Sequence, residues 1–372
     1  MGKVAEITWR QALAWRLRRH LLEPVGATSV PGVVRQLGGV QAQVASSAEL
    51  AIRLRRSRSA AGEVDRALAS GRLIKTWAMR GALHLLTPAE GGAFLAILSA
   101  GRAWELPSWQ SWFEMTPRRW ELLREVARDA LTDGPLTRQE LGAAVAVVPE
   151  LAHLREHFNS SWGTILHPLA VQGDLSLGPP RGGRATFQRL DANPRWTGLP
   201  HLDEAGIQVL ETYFRAYGPA RIDNIRHWLG PVAKKRIVAW LEALSDRLVE
   251  VDVDGDPAHV LREDLAGLAA TRATAAVRLL PGFDQWILGP GTRDGHVTTA
   301  RRRPQVSRQA GWISPVVLAG GVVAGTWSFE RDDVNVTWFR ESGAAPRATL
   351  LAEVDRLASI LGREFGLAIR RV

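Results

Sequence analysis

Three stretches of this chain repeat one order of elements, and the repeat limits the fold more than any single motif. Each reads as a helix, a short break, two further helices and a hairpin with a polar tip. The middle copy is the clearest. Trp120, Leu123, Val126, Ala127, Ala130 and Leu131 recur at helical spacing. Asp133-Gly134-Pro135 stops that helix. Thr137-Arg138-Gln139-Glu140 then places a hydroxyl and a carboxylate three residues apart, as a capping box requires. A helix through Val145 should follow, then another over residues 161–169. Two strands about a turn are expected across 169–177. Arg181-Gly182-Gly183-Arg184 makes a basic connection to a strand at 185–190.

The other copies follow the same plan. In the third, a helix runs from Asp203 to about Tyr217, and Gly218-Pro219 breaks it as Gly134-Pro135 broke its counterpart. Asp223 is expected to cap a short helix ending at Gly230, and Pro231 to open a longer one. Residues 248–253 alternate as a strand, and Asp254-Gly255 signals a hairpin turn. The first copy is less regular. Thr8-Trp9-Arg10-Gln11 has capping-box form and starts a helix to about His20. Helices are expected at 44–56 and 62–69, and two strands around Arg80-Gly81 within 73–86. Three helices and a wing hairpin make a winged helix, a helix-turn-helix relative that reads duplex DNA. From Val277 the period changes to that of strands, at 277–284, 316–318, 322–329 and 334–339, closed by an amphipathic helix over 350–365. The expected fold class is therefore α+β. Three tandem winged-helix domains (1–100, 101–200, 201–272) precede a C-terminal β-rich module, a partial barrel, over 273–372.

Charge narrows the partner. The net charge is +9, and of 47 basic residues only Lys3, Lys75, Lys234 and Lys235 are lysine. A GC-rich genome would account for the preference for arginine but not for the surplus of positive charge, which favours a polyanion. There is no cysteine, so disulfides, zinc–cysteine sites and thiol nucleophiles are excluded. No apolar run reaches a membrane span and the N-terminus lacks the pattern of a signal peptide, so a cytoplasmic, nucleoid-associated protein is expected. His153 and His157 are the only histidines four apart, without the glutamate or third ligand of a zinc site, and no metal or cofactor is expected.

Two side-chain amides, Gln41 and Gln43, stand in Gly39-Val40-Gln41-Ala42-Gln43. Thr76-Trp77-Ala78-Met79-Arg80-Gly81 follows in the same copy. Leu279-Leu280-Pro281-Gly282-Phe283-Asp284 and Pro315-Val316-Val317-Leu318, with Gly325-Thr326-Trp327, lie in the last module. In this order the motifs resemble those of the AlkZ-like DNA glycosylases. The resemblance spreads over most of the chain and implies tandem winged helices around DNA plus a β-module. It also implies that Gln41 and Gln43 support cleavage of the N-glycosidic bond. A related branch carries Asp at the second position; with Gln43 this chain looks like the branch whose expected substrates are bulky N7-alkylguanines. The implied setting is self-resistance to a genotoxic natural product.

The chemistry has a physical rationale. Alkylation at guanine N7 makes the base cationic and a good leaving group, so little general-acid help is needed. A glutamine carbonyl can accept a hydrogen bond from the attacking water, and its dipole can face the developing oxocarbenium charge. A neutral amide is a poor base, which suits only an activated leaving group. Residues i and i+2 share no face of a continuous helix, so the pair is expected at a helix entry, with Gly38-Gly39 allowing close approach of backbone to DNA.

Candidate DNA contacts are Arg80 and His84 in the first hairpin, Arg181 and Arg184 in the second, and Arg301, Arg302, Arg303 and Arg308 in the C-terminal loop. His84 lies among apolar strand residues, where most histidines are packed rather than catalytic; Asp284 reads as a structural loop carboxylate, with a second water-binding carboxylate near the site as the alternative. Trp104, Trp109, Trp112 and Trp120 fit no shared motif. The expected protein is a monomeric, monofunctional glycosylase acting on double-stranded DNA carrying alkylated guanine. The alternative is a non-enzymatic winged-helix regulator, which the same hairpins and charge would serve.

Overall fold

The computed structural model describes residues 6–159 and 165–372. The chain forms two compact units: Val64–Val209, which is contiguous, and Met1–Glu63 with Leu210–Val372, which draws on both ends of the sequence. Helices and sheets alternate along the whole chain, so the fold class is α+β as the sequence implies. Among the described residues no helix is long and apolar enough to cross a membrane.

Within Val64–Val209, two hairpins and a short strand line up side by side. The order is Leu83–Leu86, Ile74–Trp77, Leu175–Arg181, Arg184–Arg189 and Leu136–Thr137. The two wings read from sequence are thus joined into one sheet, with Lys75 opposite Leu177. Gly182 and Gly183 both take left-handed φ (57° and 75°), as a two-residue hairpin turn demands. The expected capping box is present: the Thr137 side chain accepts from the Glu140 amide, and Glu140 reaches back to Thr137 N at 2.7 Å. One expectation fails. Residues 169–171 end a helix, Leu166–Val171, rather than open a strand. Leu169, Ala170 and Val171 are all buried, which a helix facing the core achieves and a half-exposed strand does not. Asp174, buried beyond the Gly173 turn, takes a bidentate grip from Arg124 (2.7 and 3.0 Å). Of the helix expected at 161–169, residues 161–164 lie outside the described residues.

The tryptophan run in this unit is largely a hydrophobic cluster. Trp104 and Trp120 are buried, and Phe113 meets both Trp109 (5.5 Å between ring centroids) and Trp120 (5.9 Å). Trp112 alone projects outward, 71% exposed.

The discontinuous unit is held by contacts between sequence-distant segments. Thr8 caps helix Trp9–Arg19 in the expected box with Gln11. The strand before it, Glu6–Ile7, pairs in parallel with Leu248–Val253, which in turn pairs with Asp256–Leu261 about the Asp254-Gly255 turn. Ile7, Ala12 and Trp15 share a core with Val251, Val253, Val260 and Leu268. Helix Leu202–Tyr217 ends at the Gly218-Pro219 break. Its last carbonyls have no partner within the helix and accept instead from two arginines of the first helix. Arg16 donates to Tyr217 O at 2.9 Å and Arg19 to Arg215 O at 2.8 Å. Asp223 is not the cap of the next helix, Ile222–Leu229. It lies in the first turn, and Asn224 accepts from Arg221 N. The following helix, Lys234–Ala243, starts three residues after Pro231.

The C-terminal strands form a five-stranded sheet in the order Val277–Leu280, Val316–Ala319, Val322–Glu330, Asp333–Trp338 and Gly366–Arg371. The first four run antiparallel; the last, which sequence reading missed, lies parallel to its neighbour after helix Arg347–Leu361. Leu350, Val354 and Leu357 of that helix cover Val277, Leu279, Val317 and Val336. Leu50 and Leu54, from the N-terminal helix Ala45–Arg53 and the residue after it, enter the same core.

Beneath that helix lies a fully buried ion pair. Arg55 donates through both terminal nitrogens to Asp284 (2.8 and 2.7 Å), and neither side chain is exposed. Arg55 also donates to Ala51 O, and Asp284 accepts from Trp286 N. Removing one partner strands a charge in the interior, which costs about 3–5 kcal/mol. Asp284→Ala should therefore lower unfolding free energy by about that amount in denaturant titration. Pairing it with Arg55→Met should recover part of the loss.

Candidate active site

The glutamine pair sits where the sequence places it, just before a helix. Helix Val30–Gln36 starts from Ser29, whose hydroxyl accepts from Gly32 N, and Pro31 lies in its first turn. Sequence reading missed this helix, although Ser29-Val30-Pro31 carries its start signal. It ends at Leu37; Gly38 and Gly39 then turn the chain with φ of 69° and 116°. Strand Val40–Gln41 follows, and helix Ala45–Arg53 begins after the extended residue Val44. Gln41 is 9% exposed, whereas Gln43, at a bend, is exposed. Among the described residues neither side-chain amide has a hydrogen-bond partner. Little of Gln41 is exposed, yet its amide is left unengaged by the rest of the protein.

Gly38, ahead of the pair, serves packing. A Cβ on Gly38 would lie 3.0 Å from Thr212 Cγ2 and 3.3 Å from Trp228, in a left-handed conformation that side chains resist. Gly38 thus makes a close approach to Thr212 and Trp228. Trp228 in turn belongs to an aromatic group with Tyr213 and Tyr217 (4.9 and 5.9 Å). His20 meets Tyr217 and Trp286 edge-on, each at 5.1 Å. Burial, then the charges of Arg55 and Arg16, pushes His20 well below its ordinary pKa, so it is neutral in the interior.

The candidate DNA contacts fall into three groups. Arg184, Arg301 and Arg308 are exposed, and Arg80 and Arg303 are half-buried. Arg80 occupies the tip of its hairpin with φ of 55°, a conformation that non-glycine residues adopt rarely. Arg181 is exposed but paired with Glu140, in the first turn of helix Arg138–Val145. His84 and Arg302 take interior places instead of surface ones. His84 is 1% exposed and its Nδ1 lies 2.8 Å from Ala82 O. Arg302 is gripped by Glu341 (2.6 and 2.8 Å), donates to Val372 O and stacks over Phe339 at 4.4 Å. Neither offers a free cation to phosphate. Asp284 is structural, as its surroundings in the sequence implied.

With this geometry in hand, comparison with known proteins places the chain. A family model described as DNA glycosylase AlkZ-like matches residues 34–360. An interstrand DNA cross-link repair glycosylase of Streptomyces sahachiroi is 41% identical over 360 residues, covering 95% of this chain and 97% of that protein. The solved structure of Streptomyces sahachiroi DNA glycosylase AlkZ superposes with a TM-score of 0.93 at 40% identity, covering 99% of this chain and 100% of that one. This chain belongs to the AlkZ-like family of DNA glycosylases, enzymes of DNA repair that hydrolyse N-glycosyl bonds. The regulator reading is not favoured.

His84 gives a pH signature. Burial holds its pKa down to about 4, against an ordinary 6.5. The unfolded chain therefore binds a proton that the folded one refuses between those values. The associated stability is present above about pH 6.5 and is lost as pH falls toward about 4, on the order of 3 kcal/mol in all. Melting curves from pH 8 to pH 4 should show this loss, and His84→Gln should reduce it.

Proposed function

We propose that this enzyme is a monofunctional glycosylase that hydrolyses the N-glycosidic bond of bulky N7-alkylguanines in duplex DNA, including adducts bridging two strands. The observation that carries the reading is the unengaged, nearly buried Gln41 two residues from exposed Gln43, on a segment clamped by its packing. Similarity along 95% of the chain to a cross-link repair glycosylase supports the substrate class. The positive charge at N7 is the driving force. As the bond breaks, its electron pair passes to the base and neutralises the cation. Water adds at the sugar carbon and loses its proton to solvent. Gln41 and Gln43 accept hydrogen bonds from that water and face the sugar cation with their carbonyl dipoles. The products are a free adducted base and an abasic site, with no cofactor taking part. There is no lysine close in sequence to the glutamines, so a strand-cleaving Schiff base is not expected.

Duplex binding is assigned to winged helices at 1–100, 101–200 and 201–272, with the β-module at 273–372. Arg80, Arg181, Arg184, Arg301, Arg303 and Arg308 contact phosphate. The enzyme acts as a monomer in the cytoplasm, and its biological setting is self-resistance to a DNA-alkylating natural product.

Replacing Gln41 or Gln43 by Ala should lower single-turnover base release by about 100- to 1,000-fold, the scale of losing one preorganised dipole. Affinity for duplex should change little. Mass spectrometry of bases released from N7-alkylated, neutral-damaged and unmodified duplexes reads the outcome. Equal release from cationic and neutral bases would sink the leaving-group argument. Affinity should also fall steeply with salt, and Arg184→Ala and Arg308→Ala should each flatten that slope by about one.

A further inference from the structure

We propose that Tyr217 is a positioning residue for the glutamine pair, its hydroxyl fixing the turn from which strand Val40–Gln41 departs. The proposal rests on the reading of Gln41 and Gln43 as the reacting groups. Tyr217 is fully buried at the end of helix Leu202–Tyr217, and its hydroxyl donates to Leu37 O at 2.8 Å across 180 residues of sequence. Leu37 ends helix Val30–Gln36, so its carbonyl has no intrahelical partner. From Leu37 the chain passes through Gly38, wedged against Thr212 and Trp228, and Gly39, whose amide donates to Val34 O, to reach Gln41. Burial, then the neighbouring Tyr213, drives the phenol pKa well above 10, so Tyr217 keeps the proton it donates.

The second partner of the hydroxyl is Gln285, whose Oε1 lies 3.3 Å away while its Nε2 is buried without a partner. Turning that amide over resolves both facts. The nitrogen then donates to the phenol oxygen, and the phenol proton is reserved for Leu37. Gln285 follows Asp284 directly. Asp284 holds Arg55 beyond the helix that follows Gln43, and Gln285 holds Tyr217 and so Leu37 before Gln41. Two consecutive residues of the C-terminal module thus brace both ends of the segment that carries the amides. The ring of Tyr217 packs with Tyr213, Trp228 and His20, which phenylalanine would also do; the hydroxyl is what reaches the turn.

The test uses the full chain and a duplex with a single N7-alkylguanine. Tyr217→Phe should lower the single-turnover release rate at saturating enzyme by about 10- to 100-fold, the scale of a sub-ångström to one-ångström misplacement. Duplex Kd should stay close to wild type, and the rate loss should persist at temperatures well below the variant's own melting point, which the stranded Leu37 carbonyl will lower. Gly38→Ala, which disturbs the same turn from the other side, should show the same split between rate and affinity. Adding Tyr217→Phe to an enzyme lacking both amides (Gln41→Ala with Gln43→Ala) should produce no further loss, because Tyr217 acts only through that pair. A Tyr217→Phe enzyme with the wild-type rate, or one whose loss merely tracks unfolding, overturns the proposal while the glutamine variants stay inactive. Full release by the Gln41→Ala and Gln43→Ala enzymes would instead remove the underlying reading, and the proposal with it.

Discussion

The arrangement of the discontinuous unit turns on placing two opposite charges, Arg55 and Asp284, where water cannot reach them. Such a pair gains little net stability, since desolvation offsets most of the attraction. What it does impose is register. Arg55 stands two residues past helix Ala45–Arg53, and Asp284 caps the short helix Gln285–Leu288 that follows strand Val277–Leu280; only one docking of helix on module lets both carboxylate oxygens meet both guanidinium nitrogens. Leu50 and Leu54 supply the apolar contact in that docking, and the ion pair selects it. The amides of Gln41 and Gln43, one helix earlier, inherit their position from this choice.

Arginine is used here for two unlike purposes. Arg16 and Arg19 finish a helix end, Arg124 binds Asp174, and Arg278 joins Val277–Leu280 to Glu23 and Glu353. Arg302 and Arg356 do the same for the C-terminal segment and its helix. The planar fork suits these buried carboxylates and carbonyls as well as it suits phosphate. Net charge therefore pointed correctly to a polyanionic partner, but it did not say which arginines would meet one. Arg301 and Arg302 are neighbours in sequence with opposite fates, because Arg302 has Glu341 and Phe339 within reach and Arg301 is exposed.

Local signals were legible wherever the physics is local. The boxes at Thr8 and Thr137, the Gly218-Pro219 stop and the Asp254-Gly255 turn all depend on residues a few positions apart, and all are present. What escaped was set by distant partners. Strand Glu6–Ile7 is too short to announce itself and exists because Leu248–Val253 offers an edge. Strand Gly366–Arg371, arginine-rich and half exposed, exists because Asp333–Trp338 does. The glutamine pair was recognisable by its resemblance to a family. That Gln41 is nearly buried and unengaged, and that a tyrosine 180 residues away holds the turn before it, follows from packing that no short window contains.

The division of the chain also orders its birth on the ribosome. Val64–Val209 is continuous, so it has every partner within its own unit once its last residue has emerged. The first 63 residues do not. Glu6–Ile7 must wait for Leu248–Val253, Leu37 for Tyr217, and Arg55 for Asp284. A nascent chain therefore carries its glutamine segment without its full support until just over three-quarters of the protein has been made, and an interrupted translation product would hold the amides without the packing around them.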